Sequence, residues 1–191
     1  MRDLGLLVLR LTLGGLLAGH GAQKLFGAFE SHGLEGTGKH FESLGLQPGE
    51  TWATTAGLGE MGGGLLTALG FLHPLGPITT FGPMVVAWGR AHWGKPIWVT
   101  HGGGELPATN LAIALALVLA GPGRLSVDRL LGIRLPAALA TLFAAGVAAG
   151  SLIALSQPQP APQQQQQQPQ AQPQAQPEPM AQTQQPQAAT A

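Results

Sequence analysis

Residues 102–131 read GGGELPATNLAIALALVLAGPGRLSVDRLL, and this stretch decides the fold class of the chain. Between residues 106 and 120 it carries no charged side chain, and one threonine and one asparagine are its only polar ones. A glycine–proline pair then ends the apolar run. A bilayer helix needs about 20 predominantly apolar residues, so this run, together with the glycines before it, predicts a membrane-spanning helix.

The composition of the whole chain agrees with a membrane location. Only 9% of the 191 residues are charged, whereas a soluble domain has about a quarter. So few charges cannot cover a water-facing surface, but a lipid bilayer requires none. The formal net charge is zero, so we expect no binding of nucleic acid. The chain has no cysteine, which excludes disulfides, thiolate nucleophiles and cysteine-ligated metals from it.

Five apolar segments in all are candidates for membrane-spanning helices. We predict an all-α membrane protein, built as a four-helix transmembrane bundle with a fifth transmembrane helix and a disordered C-terminal tail. The third segment is short and contains two prolines, which a bilayer helix tolerates where neighbouring helices satisfy the freed carbonyls. In chain order the segments are residues 4–20, 52–72, 75–88, 107–120 and 135–155.

The segments predict three parts: a membrane core at 1–131, an additional transmembrane helix at 132–156 and a tail at 157–191. The tail is rich in Gln, Pro and Ala; it cannot bury enough apolar surface to offset its chain entropy, so we expect disorder. The first segment resembles a signal peptide, but no small-residue cleavage site follows it. We expect it to be retained as a first span.

Two connections between the segments are long. Residues 21–51 are expected to pack as an amphipathic cap, and residues 90–105 place cations and two tryptophans at the depth of a membrane interface. With the N-terminus inside, the loop cations divide four against four, so the positive-inside rule does not decide the orientation. We favour an inside N-terminus. The cap's large apolar residues are Phe26, Phe29, Phe41 and Leu44.

Arg10 and Glu60 are the ionisable residues that lie well inside apolar segments. A charge near the membrane centre costs at least about 2.5–3.5 kcal/mol, so each should face the bundle and find a partner. In antiparallel helices the two would lie at similar depths. That arrangement leaves three alternatives open: a structural ion pair, a ligand, proton or quinone site, or separate polar contacts.

We predict that a site, where present, uses Glu60 and Arg10 as its catalytic residues. Arg10 would hold an anion or a semiquinone oxygen, and Glu60 would relay a proton. Further binding residues are expected at the end of the third segment and near the outer mouth, and they are Arg90, His92, Lys24 and Glu105. None of the six histidines forms an HxxxH or HxH pair, and no carboxylate–histidine spacing matches a helical di-iron motif, so we expect no metal site.

Small residues recur at a spacing of four in three of the segments. This small-xxx-small pattern permits close approach of two helices, and we interpret it as packing rather than function. The pairs are Gly59–Gly63, Gly14–Ala18, Gly15–Gly19 and Gly146–Gly150.

Seven short motifs follow one another in an order that resembles the DoxX family of small bacterial and archaeal membrane proteins. The resemblance covers residues 4–131 and implies a four-helix membrane core, with the fifth segment and the tail as extensions. Val127 stands where a leucine is often found. The motifs are Arg10 with Gly14, GHGAQKLFG at 19–27, FESLG at 41–45, GLGEMGG at 57–63, RAHW at 90–93, GGELP at 103–107 and GPGRLSVD at 121–128.

The resemblance implies a role in a membrane redox system, because members are linked to thiosulfate:quinone oxidoreduction and to complexes that handle thiol or oxidative stress. We therefore expect a multi-pass inner-membrane subunit or scaffold, with a quinone as its substrate and redox subunits as its partners. A homo-oligomer is a further expectation. The alternatives are a non-enzymatic assembly protein and a small-solute transport protein, the latter favoured by the kinked third segment and Asn110.

Overall fold

A computed structural model describes residues 1–160 of the chain, and within them the structure is entirely helical. The predicted disorder of the tail falls mainly on residues 161–191, which lie outside the described part. All five predicted segments are helices, so the all-α fold is confirmed. The helices are α1 (Arg2–Phe26), α2 (Gly33–Ser43), α3 (Gly49–Leu69), α4 (Leu75–Ala87), α5 (Glu105–Ala120), α6 (Val127–Leu131) and α7 (Ala137–Ser156).

Four of these helices form a closed bundle. Helix α1 packs against α3, α3 against α4, α4 against α5, and α5 returns to α1. The amphipathic α2 lies over α1 and α3, while α7 packs against α4 outside the ring. Helix α4 continues into a π-helical turn, Trp88–His92. The buried centre of the bundle consists of Leu6, Leu13, Leu17, Met84, Ala114 and Leu117.

Helices α1 and α3 touch backbone to backbone at glycines. A Cβ atom on Gly14 would lie 2.5 Å from the Gly64 carbonyl oxygen, and one on Gly21 would lie 2.4 Å from the Met61 amide nitrogen. A Cβ on Gly70, just after α3, would meet the Arg10 guanidinium. These contacts fix an antiparallel register in which the beginning of α1 faces the end of α3.

The glycine spacing predicted only part of this packing. Ala18, paired with Gly14 in the sequence, does contact α3, and Gly63 lies against Thr79 of α4. Gly15, Gly146 and Gly150, in contrast, have no neighbouring atom of the described residues within 4 Å of an added Cβ. The packing prediction is wrong for those three glycines, because they lie on the outer faces of α1 and α7.

Two helices, α1 and α7, are long and apolar enough to cross a membrane, and α5 is a shorter apolar helix. Their outward faces carry rows of exposed apolar side chains. A large exposed apolar surface marks a contact with a membrane or a partner, which agrees with a membrane protein. These exposed residues include Leu4, Val8, Leu11 and Leu16 of α1 and Leu139, Leu142, Leu152 and Ile153 of α7.

The cap predicted for residues 21–51 is found in part. Helix α2 packs against α1 and α3 as expected, and Phe41 and Leu44 are half-buried. Phe26 and Phe29 are exposed, so they do not belong to the packed face of the cap. The chain turns between them at Gly27, whose positive φ of 69° ends α1.

Candidate functional site

The most deeply placed ion pair in the described part of the chain joins Lys24 of α1 to Glu60 of α3. The Lys24 ammonium donates a hydrogen bond to Oε2 of Glu60. The side chain of Glu60 is 4% exposed and that of Lys24 is 22% exposed. A buried carboxylate therefore meets a lysine whose side chain is partly exposed.

The register of the glycine contacts explains why Glu60 pairs with Lys24. Met61 faces Gly21, whereas Arg10 reaches Gly70. Ten residues of helix α3 separate Glu60 from the level of Arg10, a rise of about 15 Å. Of the alternatives left open for these two residues, the structure therefore shows separate polar contacts: Arg10 does not pair with Glu60. A lysine expected at the outer mouth pairs with Glu60 instead.

Arg10 holds the connection after α5 instead. Its guanidinium donates to the carbonyl oxygens of Pro122 and Leu125, and the residue is buried. Its Nε has no hydrogen-bond partner among the described residues. Two strong donors are thus occupied by backbone carbonyls, which fasten the GPGRL loop to α1.

Asp128 completes this arrangement from α6, and sequence reasoning missed its role. The carboxylate accepts hydrogen bonds from the backbone N–H groups of Leu72 at 2.8 Å and His73 at 2.7 Å. The Asp128 N–H donates to the Gly70 carbonyl at 3.1 Å. Leu72 has a φ of 51°, a left-handed conformation that turns its amide toward the carboxylate.

We call the contacts of Arg10, residues 70–73 and residues 122–128 the clasp. One sequence signal could have indicated it: the polar pair Ser126 and Asp128 at the start of α6. Ser126 caps that helix, because its hydroxyl accepts from the Arg129 N–H at 3.3 Å. The GPGRLSVD motif therefore joins the ends of α1, α3 and α5.

His73 lies in the clasp, in the connection between α3 and α4. Burial lowers the pKa of His73 below its ordinary value, and the Arg10 charge acts in the same direction. The Val118 carbonyl and the Asp128 carboxylate act against this shift but do not cancel it. The folded protein therefore favours the neutral imidazole at this position.

Arg90 occupies a second buried position, at the opposite end of the bundle. Its guanidinium donates to the carbonyl oxygens of Ala154 and Gln157, the latter at 2.7 Å. A longer contact of 3.5 Å reaches the Leu44 carbonyl. Arg90 thereby ties the π-helical turn after α4 to the end of α7.

His92 ends the π-helical turn after α4, and Glu105 is the first residue of α5. His92 Nδ1 is 2.7 Å from the Gly102 carbonyl oxygen, and the Glu105 carboxylate accepts from the Val99 N–H at 2.9 Å. Of the six predicted site residues, the structure therefore brings together only Lys24 and Glu60. The other four make separate contacts with the backbone.

A family model described as DoxX matches residues 5–93 of the chain. Over these residues the chain belongs to the DoxX family. The DoxX match runs from α1 to just beyond the π-helical turn, so it contains the Lys24–Glu60 pair and Arg10 but ends before the second half of the clasp. No curated protein and no solved structure matches the chain significantly.

Proposed function

We propose that this DoxX protein is a multi-pass subunit of a quinone-linked redox system in the inner membrane, and that Lys24 and Glu60 form its quinone-facing site. The observation that supports this proposal is the ion pair between the buried Glu60 carboxylate and the partly exposed Lys24 side chain. Ionisable groups within a membrane bundle mark functional sites by default, because their placement is costly.

The two residues have complementary chemistry for a quinone. Reduction of a quinone to a quinol takes up two electrons and two protons. The Lys24 ammonium is a charge-assisted donor, suited to an oxygen that gains negative charge, and Glu60 is placed to pass a proton along the pair. Lys24 thus takes the role that the sequence suggested for Arg10. Because the chain itself has no cysteine, a partner subunit would deliver the electrons, taken from thiosulfate or a thiol.

A non-enzymatic assembly protein is the second candidate, and the two buried arginines favour it. Arg10 and Arg90 each donate hydrogen bonds to backbone carbonyls of a distant segment, and each thereby connects separate parts of the fold. Asn110, which suggested transport, donates to the Met84 sulfur at 3.4 Å and so connects α5 to α4. In an assembly protein the Lys24–Glu60 pair would also serve only to join two helices.

Quinone binding to the purified full chain in detergent separates the two candidates. Equilibrium dialysis with a short-chain benzoquinone should show saturable binding, weakened at least about tenfold in Lys24→Gln, because a hydrogen bond to a charged group contributes about 1.5–3 kcal/mol. Lys39→Gln is the matched control, since Lys39 pairs with Glu35 on the exposed face of α2. Equal binding by Lys24→Gln, or no saturable binding by the unaltered chain, would reject the quinone site.

A further inference from the structure

A large groove lies at the end of the bundle opposite the Lys24–Glu60 pair, bordered by α5, α6 and α7. Its volume is about 1010 Å³, comparable with the largest small-molecule sites, which reach about 1,000 Å³. Helices α5 and α7 both pack against α4, so the groove has α4 beneath it. Its apolar wall includes Ile78, Val118, Leu135, Ala140 and Ala144.

Four arginines surround this groove: Arg2, Arg124, Arg129 and Arg134. The Arg2 guanidinium donates to the Ala120 carbonyl at 2.7 Å. The guanidinium groups of the other three make no hydrogen bond or ion pair with any of residues 1–160. Three exposed cationic side chains are therefore available to a ligand.

The two carboxylates at the groove are already occupied by backbone N–H groups. Asp3 accepts from the Arg124 N–H at 2.8 Å, and Asp128 accepts from Leu72 and His73 within the clasp. Neither carboxylate forms an ion pair with an arginine in the described residues. The edge of the groove therefore keeps a positive excess beside an apolar wall.

We propose that this groove binds a phospholipid with an anionic headgroup. Guanidinium groups match phosphate oxygens in a two-pronged geometry, and basic pockets between membrane helices bind such headgroups. The phosphate would contact Arg124, Arg129 and Arg134, and an acyl chain would lie along Ala140 and Ala144. An inorganic anion would leave the apolar wall uncovered. A zwitterionic lipid would bring its own ammonium group beside the arginines, where the positive excess disfavours it.

The test compares phosphatidylglycerol and phosphatidylcholine of the same acyl chains, bound to the full chain in neutral detergent and counted by native mass spectrometry. We expect the unaltered chain to prefer phosphatidylglycerol at least about tenfold, since each basic residue near a membrane surface contributes about a factor of five. Arg129→Gln/Arg134→Gln should lose most of this preference. Lys39→Gln/Lys95→Gln, at the other end of the bundle, should keep it.

A second variant distinguishes the groove from general surface attraction. Ala144→Phe narrows the apolar wall without changing any charge, and it should weaken phosphatidylglycerol binding several-fold. Retained helicity by circular dichroism establishes that each variant is folded. Equal affinity for the two lipids, unchanged binding by Ala144→Phe, or displacement of the lipid by millimolar inorganic phosphate would overturn the proposal. The quinone site is not needed for this result, so the two proposals fail separately.

Discussion

Lys24, near the end of α1, forms an ion pair with Glu60 in the middle of α3. The pair crosses a glycine-rich contact in which the two helix backbones meet directly. Because Glu60 is almost fully buried, its charge depends on the lysine for compensation. This relationship makes the pair a link between the two helices. Under the proposed function, the pair is also where a quinone oxygen would meet a charge inside the bundle.

Replacing Lys24 alone should destabilise the protein far more than replacing both members of the pair. Breaking a buried ion pair costs about 3–5 kcal/mol, whereas exchanging both partners for apolar residues is often neutral. Since Lys24 is partly exposed, we expect Lys24→Met to lower the free energy of unfolding by about 3 kcal/mol. Lys24→Met/Glu60→Met should recover most of this loss in detergent unfolding experiments. Strictly additive effects of the two substitutions would show that the residues are not coupled.

Replacing Asp128 by asparagine should lower the stability of the protein more than replacing Asp3 by asparagine. Asp128→Asn keeps one acceptor oxygen for the Leu72 and His73 N–H groups, so one donor is left unsatisfied, at a cost of about 1–3 kcal/mol. Asp3→Asn can retain its single bond to the Arg124 N–H and serves as the control. Thermal unfolding and limited proteolysis of residues 121–126 provide the readouts. Similar losses in the two variants would argue against the clasp.

Replacing a glycine of α1 by alanine should destabilise the protein on the face that meets α3 but not on the opposite face. In Gly21→Ala the new Cβ would lie 2.4 Å from the Met61 amide nitrogen, and overpacking of this kind costs about 1–3 kcal/mol. Gly15 has open space around it, so Gly15→Ala should be neutral or stabilising by up to about 1 kcal/mol. Unfolding midpoints of the two variants in one detergent test the register, and the opposite ranking would contradict it.

Acidification should weaken the clasp through His73. Its pKa in the folded protein is lowered, so the unfolded chain, with an ordinary histidine pKa of about 6.5, binds the proton first. The contribution of the neutral His73 to stability is therefore fully present above that pH and decreases as the pH falls through it. His73→Gln should show a smaller loss of stability between about pH 7.5 and pH 5.5 than the unaltered chain. If stability falls equally with pH in His73→Gln and in the unaltered chain, His73 is not the source of the pH dependence.

The positions of the helices follow from the sequence because the apolar segments are nearly free of charged residues and are separated by polar or glycine-rich connections. Segments expected at 4–20 and 135–155 correspond to α1 and α7, and the short proline-containing segment corresponds to α4 with its π-helical turn. An apolar segment forms a helix whether its surface is buried in lipid or in the bundle, so the apolar pattern alone is enough to locate the helices. The family resemblance is likewise confirmed, over residues 5–93.

The pairing of the charged residues could not be predicted in the same way. Glycines occur at several spacings in α1 and α3, and each spacing allows a different register and hence a different partner for Glu60. The sequence did not predict the contacts of Asp128 either, because their donors are the backbone N–H groups of Leu72 and His73. Such donors exist at almost every residue, and only the local turn brings these two to one carboxylate.

Thiosulfate-dependent quinone reduction in native membrane vesicles tests the proposed function most directly. The strains to compare carry the unaltered chain, a deletion, Glu60→Gln, and Glu35→Gln as a control that alters an exposed ion pair, at matched protein levels. We predict loss of the rate in the deletion and in Glu60→Gln, with Glu35→Gln unchanged. Loss in the deletion alone would assign a purely structural role, and an unchanged rate in every strain would contradict the redox function.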